Sequence, residues 1–140
     1  MVQDTFLEFP FQFAKVESLG RLFYPIVAVK LKTIFGWQLF DFLVDTGADL
    51  TTIPLPIAYT LGIDIKKLPH SQTRGVGGIL VSTWNTTVNI AIGKDEFKTH
   101  ISITKGNSAP PLLGKKDVLE KRYSLTLDSK RKVTILSKNG

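Results

Sequence analysis

The sequence predicts a single, mainly β domain, and three observations support this class. The chain has 140 residues, the size of one domain. Short segments in which apolar and polar residues alternate recur along it, which is the pattern of half-buried strands. Turn residues separate these segments, and helical patterns are confined to two short stretches. A closed or sandwiched sheet is the simplest architecture for such a pattern.

The first clear strand pair lies in the first third of the chain. Ile26 to Leu31 alternates, Ile34 to Trp37 is a plausible turn, and a second strand is predicted over Gln38 to Val44. The unbroken apolar run Phe42-Leu43-Val44 indicates burial on both faces of the sheet. The other predicted elements are a short helical piece around Ala58 to Leu61, ended by Gly62; strands Val81 to Ile92, Phe97 to Ile103, Tyr123 to Leu127 and Val133 to Leu136; and a short amphipathic helix over Lys116 to Arg122.

Composition excludes several kinds of chemistry. The chain has no cysteine, which removes thiol nucleophiles, thiolate metal sites and disulfides. The two histidines, His70 and His100, do not have the spacing of metal ligands, so neither a metal nor a cofactor is expected. The net charge is +6, but acidic residues interrupt the basic C-terminal region and no nucleic-acid-binding motif accompanies it. A solvated basic face is therefore expected rather than a nucleic-acid partner.

The chain begins without the basic and apolar segments of a signal peptide. No apolar run approaches the roughly 20 residues that would span a bilayer. We therefore expect a soluble, cytoplasmic protein with no membrane partner, although a fragment of a longer precursor would have the same features.

The most informative string is Asp45-Thr46-Gly47-Ala48-Asp49, which directly follows the apolar run. A carboxylate at the end of a buried strand is held firmly, while a glycine lets the backbone turn sharply. Asp, Thr and Gly are also ordinary turn residues, so the string alone would fit a plain turn. Peptide hydrolysis by carboxylates needs both an acid and a base. The chain has no second Asp-Thr-Gly or Asp-Ser-Gly, so the second carboxylate would have to come from another copy of the chain.

Two further segments follow in a fixed order. They are the glycine-rich Arg74-Gly75-Val76-Gly77-Gly78-Ile79-Leu80-Val81 and the segment Leu112-Leu113-Gly114-Lys115-Lys116-Asp117-Val118-Leu119. With the Asp45 loop, these resemble the active-site loop, the flap and the apolar-apolar-Gly segment of the retropepsins, the homodimeric retroviral-type aspartic peptidases. The resemblance runs from about Tyr24 to Leu136. It implies a retropepsin-like acid protease fold with a closed, β-barrel-like sheet, a flap hairpin and one short C-terminal helix.

The resemblance also implies roles for individual residues. Asp45 would be the catalytic carboxylate, in an active-site loop with Thr46, Gly47 and Ala48. Gly47 and Asp49 would contact substrate, although Asp49 could instead form a structural ion pair. The flap residues Gly75, Val76, Gly77 and Gly78 would close over the peptide, and a flexible surface hairpin would have the same geometry. Lys115 departs from the family pattern, because arginine usually stands there and can pair bidentately with the Asp49-type carboxylate.

The domain organisation and function follow from the same resemblance. Residues 1–22 are expected to be an N-terminal extension, a strand or an interface, and residues 23–140 the peptidase domain. The expected function is that of an aspartic endopeptidase, active as a homodimer on peptide or protein substrates. The alternative is a retropepsin-fold dimeric binding or assembly module with little or no proteolytic activity, because a fold does not by itself imply a function.

Overall fold

A computed structural model of the chain describes residues 6–74, 76–78, 80–106 and 109–140. The strands are, in chain order, β1 Phe6–Pro10, β2 Gln12–Val16, β3 Gly20–Tyr24, β4 Ile26–Thr33, β5 Gly36–Val44, β6 Thr51–Pro54, β7 His70–Arg74, β8 Leu80–Ile92, β9 Asp95–Thr104, β10 Leu112–Leu113, β11 Tyr123–Asp128 and β12 Val133–Lys138. The helical segments are the α-helix α1, Leu55–Thr60, and short turns at Ile65–Lys67, Val76–Gly78 and Lys115–Leu119.

A seven-stranded sheet forms the body of the molecule, in the order β4-β5-β10-β6-β9-β8-β7. An additional pairing between β4 and β8 closes six of these strands into a ring, and β7 pairs with β8 outside it. Most neighbours are antiparallel, but β10 runs parallel to β5 and β6 runs parallel to β9. The mainly β fold class predicted from the sequence is confirmed.

The alternation in the sequence explains how the ring fills its interior. On β4, Val27, Val29 and Leu31 point inward and are buried, while Lys30 and Lys32 on the opposite face are exposed. The core is apolar and contiguous, as expected for a domain that folds by burying such faces. Its buried members are Val27, Val29, Leu31, Phe42, Val44, Ile53, Ala58, Ile90, Ile92, Phe97, Ile101, Ile103, Leu113, Val118, Tyr123 and Leu136.

The two ends of the chain form a sheet of their own. Strand β1 pairs with β12, which also pairs with β11, in a three-stranded antiparallel sheet. Strands β2 and β3 make a separate hairpin, and the ring of Phe11, just before β2, stacks on Phe23 with centroids 4.3 Å apart. The aromatic residues near the N-terminus thus take part in strands and ring contacts.

The segment after Gly114 differs from the regular amphipathic helix expected over Lys116 to Arg122. Residues Lys115–Leu119 form a single irregular helical turn, in which Lys116 is extended (φ −60°, ψ 130°) and Asp117 is left-handed (φ 65°). Val118 is buried, as the amphipathic pattern predicts. The pattern located the buried residue correctly, but contacts with other strands determine the backbone.

Candidate active site

Asp45 lies immediately after β5, where the main chain is fixed from two sides. Its N–H donates to the carbonyl oxygen of Leu113 (3.0 Å), and the N–H of Val44 donates to that of Pro25 (2.9 Å). Leu113 is fully buried and pairs with Val44 in the parallel β10–β5 register. The position of the Asp45 backbone is therefore set by the core of the sheet rather than by its own loop.

The carboxylate of Asp45 is oriented by the turn that follows it. The N–H of Gly47 donates to Oδ1 of Asp45 (2.9 Å), and the N–H of Ala48 donates to the Asp45 carbonyl (3.2 Å). Asp45 is half-buried, while Thr46 and Gly47 are exposed. No other carboxylate in the described part of the chain hydrogen-bonds to Asp45. The arrangement presents one oriented carboxylate on an open surface.

The segment around Gly114 is bonded to the loop that carries Asp45. The Gly114 N–H donates to the buried hydroxyl of Thr51 (3.1 Å). A Cβ at Gly114 would lie 2.5 Å from both the carbonyl carbon and oxygen of Leu50, so only glycine allows this approach. The next two N–H groups, of Lys115 and Lys116, donate to the carbonyls of Ala48 (3.0 Å) and Asp49 (2.9 Å). The sequence motif after β10 and the Asp45 loop are thus one connected unit.

Asp49 forms an ion pair with Lys115, the residue that departs from the family pattern. The ammonium of Lys115 lies 3.3 Å from one carboxylate oxygen of Asp49, whose side chain is 92% exposed. A lysine makes a single contact where an arginine fork could make two. Exposed pairs of this kind contribute little to stability. Asp49 therefore stands at the edge of the loop with most of its carboxylate open to solvent.

One pair of polar side chains near the site was not singled out from the sequence. Nδ1 of His100 lies 2.6 Å from Oδ2 of Asp117, and the His100 main-chain N–H donates to the same oxygen (2.9 Å). These bonds lower the pKa of the Asp117 carboxyl from its ordinary 3.8 to about 2. The residues are 17 apart in sequence and lie on different elements, so no local pattern could have revealed the contact.

The glycine-rich segment lies at the tip of a hairpin. Strands β7 and β8 pair antiparallel from His70↔Trp84 to Arg74↔Leu80, and residues 75–79 connect them. Gly77 and Gly78 have φ values of 86° and 80°, which glycine adopts readily. Gly75, assigned to the flap from the sequence, lies outside the described residues. Val76 is described only in its backbone, as the first residue of the turn Val76–Gly78.

Two grooves on the described surface are lined by residues other than Asp45. One, of about 570 Å³, lies beside Trp37 and Leu39, and another, of about 440 Å³, beside Leu50 and His100. Among residues 6–74, 76–78, 80–106 and 109–140, no cluster of three His, Cys, Asp or Glu side chains could hold a metal ion. The same part of the chain contains no helix with the length and apolar character needed to cross a membrane.

Comparison with known proteins identifies the family and the fold of the chain. Residues 33–121, more than half of the chain, match the family described as "gag-polyprotein putative aspartyl protease". This match includes the Asp45 loop, the glycine-rich hairpin and the Gly114 segment. The chain therefore belongs to the gag-polyprotein aspartyl protease family, and its fold is retropepsin-like. A search of curated proteins found no match.

Two solved structures illustrate the shared fold. A retropepsin-like aspartic protease from Rickettsia conorii is 24% identical, with a TM-score of 0.64, over 99% of this chain and 97% of that one. The EIAV protease, solved with the inhibitor HBY-793, is 23% identical, with a TM-score of 0.55, over 76% of this chain and 92% of that one. The first likeness extends over the N-terminal strands as well as the ring.

Proposed function

We propose that this protein is an aspartic endopeptidase, active as a homodimer in which each copy supplies one Asp45. The observation that carries the proposal is the single Asp-Thr-Gly of the chain, held at the end of a buried strand. Family membership supports the aspartic peptidase class. The open surface around Asp45, with no second carboxylate bonded to it in the described chain, supports a site that another copy completes.

Two-fold symmetry accounts for the second carboxylate. A residue on a two-fold axis meets its own copy, so one Asp45 becomes a pair. Carboxylates about 3 Å apart cannot both ionise, and the pair shares one proton. The pair then has one base and one acid, which peptide hydrolysis requires.

The reaction follows from those two protonation states. The ionised Asp45 takes a proton from a water molecule, whose oxygen attacks the peptide carbonyl carbon. The protonated Asp45 of the other copy donates its proton to the carbonyl oxygen, which gives a neutral tetrahedral intermediate. The Asp45 that took the water proton then donates it to the amide nitrogen, while the other Asp45 accepts a proton from one hydroxyl of the intermediate; the C–N bond breaks, a carboxylic acid and an amine are released, and the pair again holds one proton.

The remaining site residues have supporting roles in this proposal. Thr46 contacts its copy across the axis, and the exposed Gly47 and Asp49 face the substrate backbone. The hairpin that carries Gly77 and Gly78 closes over an extended peptide, as mobile loops do in other enzymes. An extended peptide would bind by strand-like hydrogen bonds between this hairpin and the loop floor.

A cleavage assay on a random peptide library tests the proposal, with Asp45→Asn as the matched control. The amide is nearly isosteric with the acid, so the variant should keep the fold and dimer and lose cleavage. Specific activity should also fall on dilution below the dimer dissociation constant. Turnover retained by Asp45→Asn, or full activity in a solution shown to be monomeric, would contradict the mechanism. A dimeric wild-type protein that cleaves no library peptide would favour the binding module instead.

A further inference from the structure

The tip of the β4–β5 hairpin presents apolar side chains to solvent. Ile34 and Phe35, in the turn, are 65% and 83% exposed, and Trp37 and Leu39, on the next strand, are 40% and 64% exposed. Turns of this kind usually carry polar residues, which would form the same backbone. A contiguous exposed apolar surface of this sort commonly marks an interaction site.

The backbone of the tip is braced, so that its side chains are held outward. The Thr33 hydroxyl donates to the Gly36 carbonyl (2.8 Å) and accepts from the Phe35 N–H (3.1 Å). The Ile34 N–H donates to the carbonyl of Thr60, at the end of α1 (2.9 Å). Because these bonds fix the turn, Phe35 protrudes from a rigid support rather than from a loose loop.

Strand register places lysines directly behind this tip. Lys32 pairs with Trp37 and Lys30 with Leu39, and all four side chains lie on the outer face of the sheet. Lys94 joins Lys30, Trp37 and Leu39 around the groove of about 570 Å³, where Glu96 is the one acidic residue. Within the described chain, none of these three lysines forms a salt bridge. Their charges are available to a partner.

We propose that this surface binds an anionic lipid bilayer. It has an apolar tip (Ile34 and Phe35) and, behind the tip, a mixed zone in which Trp37 and Leu39 lie beside Lys32 and Lys30, with Lys94 across the groove. This order follows the polarity of a membrane interface, where apolar groups enter, tryptophan lies at the headgroups and lysines meet anionic lipids. The sequence-based expectation of no membrane partner rested on the lack of membrane-spanning segments. Binding to the surface of a bilayer does not require such a segment.

The position of the surface leaves the proposed active site free. Strand β5 runs nine residues from Gly36 to Val44, with the hairpin turn at one end and Asp45 at the other. At about 3.3 Å per residue, the two sites are separated by roughly 25 to 30 Å. Membrane binding and catalysis can therefore be tested independently, and loss of either leaves the other proposal standing.

Co-sedimentation with lipid vesicles tests the proposal on the full chain. We expect binding to phosphatidylcholine vesicles that contain phosphatidylserine, little binding to phosphatidylcholine alone, and weaker binding as salt rises. Phe35→Ser should weaken binding at least ten-fold, because it removes the most exposed apolar group of the tip. Lys32→Gln should weaken binding about five-fold. Phe6→Ser and Lys130→Gln change exposed residues of the same types on other strands and turns, and should leave binding unchanged.

Tryptophan fluorescence gives a second readout that does not depend on sedimentation. The chain has two tryptophans, so Trp84→Phe leaves Trp37 as the reporter. Its emission should shift to the blue when anionic vesicles are added. Equal binding to both vesicle compositions, equal loss in Phe6→Ser and Phe35→Ser, or no binding by the folded protein would each overturn the proposal. The last result would leave a protein partner as the occupant of this surface.

Discussion

Nδ1 of His100, on β9, lies 2.6 Å from Oδ2 of Asp117, in the turn that follows Gly114. The main-chain N–H of His100 donates to the same oxygen, and the Lys121 ammonium lies 3.5 Å from the other. These contacts hold Asp117 in a left-handed backbone conformation, which residues other than glycine seldom adopt. The N–H groups of the two residues before it, Lys115 and Lys116, donate to carbonyls of the loop that follows Asp45. The pair thus connects β9 to the loop that carries Asp45.

Asp117→Gly should lower turnover by about ten-fold or more, because small displacements of a catalytic group are costly. Glycine accepts the backbone conformation, so the variant removes the side-chain contacts without adding strain. Asp117→Asn keeps an acceptor oxygen and tolerates the same φ, and should retain most of the activity. Measurement of kcat, KM and melting temperature for both variants checks this.

Lys121→Ala is the control for the Asp117 variants, because it removes an exposed cation from the same carboxylate. It should leave kcat unchanged. Equal kcat in Asp117→Gly and the wild type would show that the contact with His100 does not position the loop.

The same contact predicts how stability changes in acid. The His100 bonds lower the Asp117 pKa from 3.8 to about 2, so the folded state favours the charged form. The stabilisation is present above pH 3.8 and is lost as pH falls through the folded pKa. Because the His100 ring is more than half exposed, solvent screening limits the effect to about 1 kcal/mol.

Urea unfolding at several acidic pH values measures this dependence. The free energy of unfolding of the wild type should fall more steeply between pH 3.8 and 2 than that of Asp117→Asn, which cannot titrate there. Parallel curves for the two proteins would contradict the assignment.

The sequence predicted those parts of the fold that local patterns determine. The alternation of β4 and β9 and the apolar run at the end of β5 are strong local signals, and these strands formed as expected. The Asp45 loop was placed correctly at a strand end because an apolar run precedes it.

The parts that could not be predicted depend on distant partners. The turn Lys115–Leu119 carries helix-like spacing, but bonds to Asp49 and His100 give Lys116 and Asp117 other conformations. The pairing of β1 with β12 joins the two ends of the chain and has no local signature. Whether Asp45 lies beside its own copy remains a prediction, because it depends on a second chain.

Two alanine substitutions near Asp45 should affect different properties, one the stability of the protein and the other its turnover. Gly114→Ala places a methyl group 2.5 Å from the Leu50 main chain, which cannot move away as a side chain could. We expect a loss of about 1 to 3 kcal/mol in the free energy of unfolding. Gly47→Ala places its methyl group 3.3 Å from the Asp45 carboxylate oxygen, on an exposed turn. This variant should keep its stability and lose turnover.

Chemical unfolding and cleavage rates, measured on both variants, separate the two effects. The pair controls for the substitution itself, because each adds one methyl group within the same structural unit. A stable Gly114→Ala protein would mean that Leu50 and Thr51 can shift away, and that this close approach does not constrain the loop.

The last prediction concerns the tip of the β7–β8 hairpin. Gly77 has φ 86° with no atom within 4 Å of a built Cβ, so alanine there meets backbone strain but no steric clash. Gly36, at the far end of β5 from Asp45, has φ 103° and the same open surroundings. Alanine should cost about 1 to 2 kcal/mol of stability at either position. If the hairpin rearranges to close over peptide, only Gly77→Ala should also reduce kcat, because only there is backbone freedom needed during turnover. Comparison of kcat and melting temperature for the two variants tests this, and an equal kcat in both would show that the hairpin is not a flap.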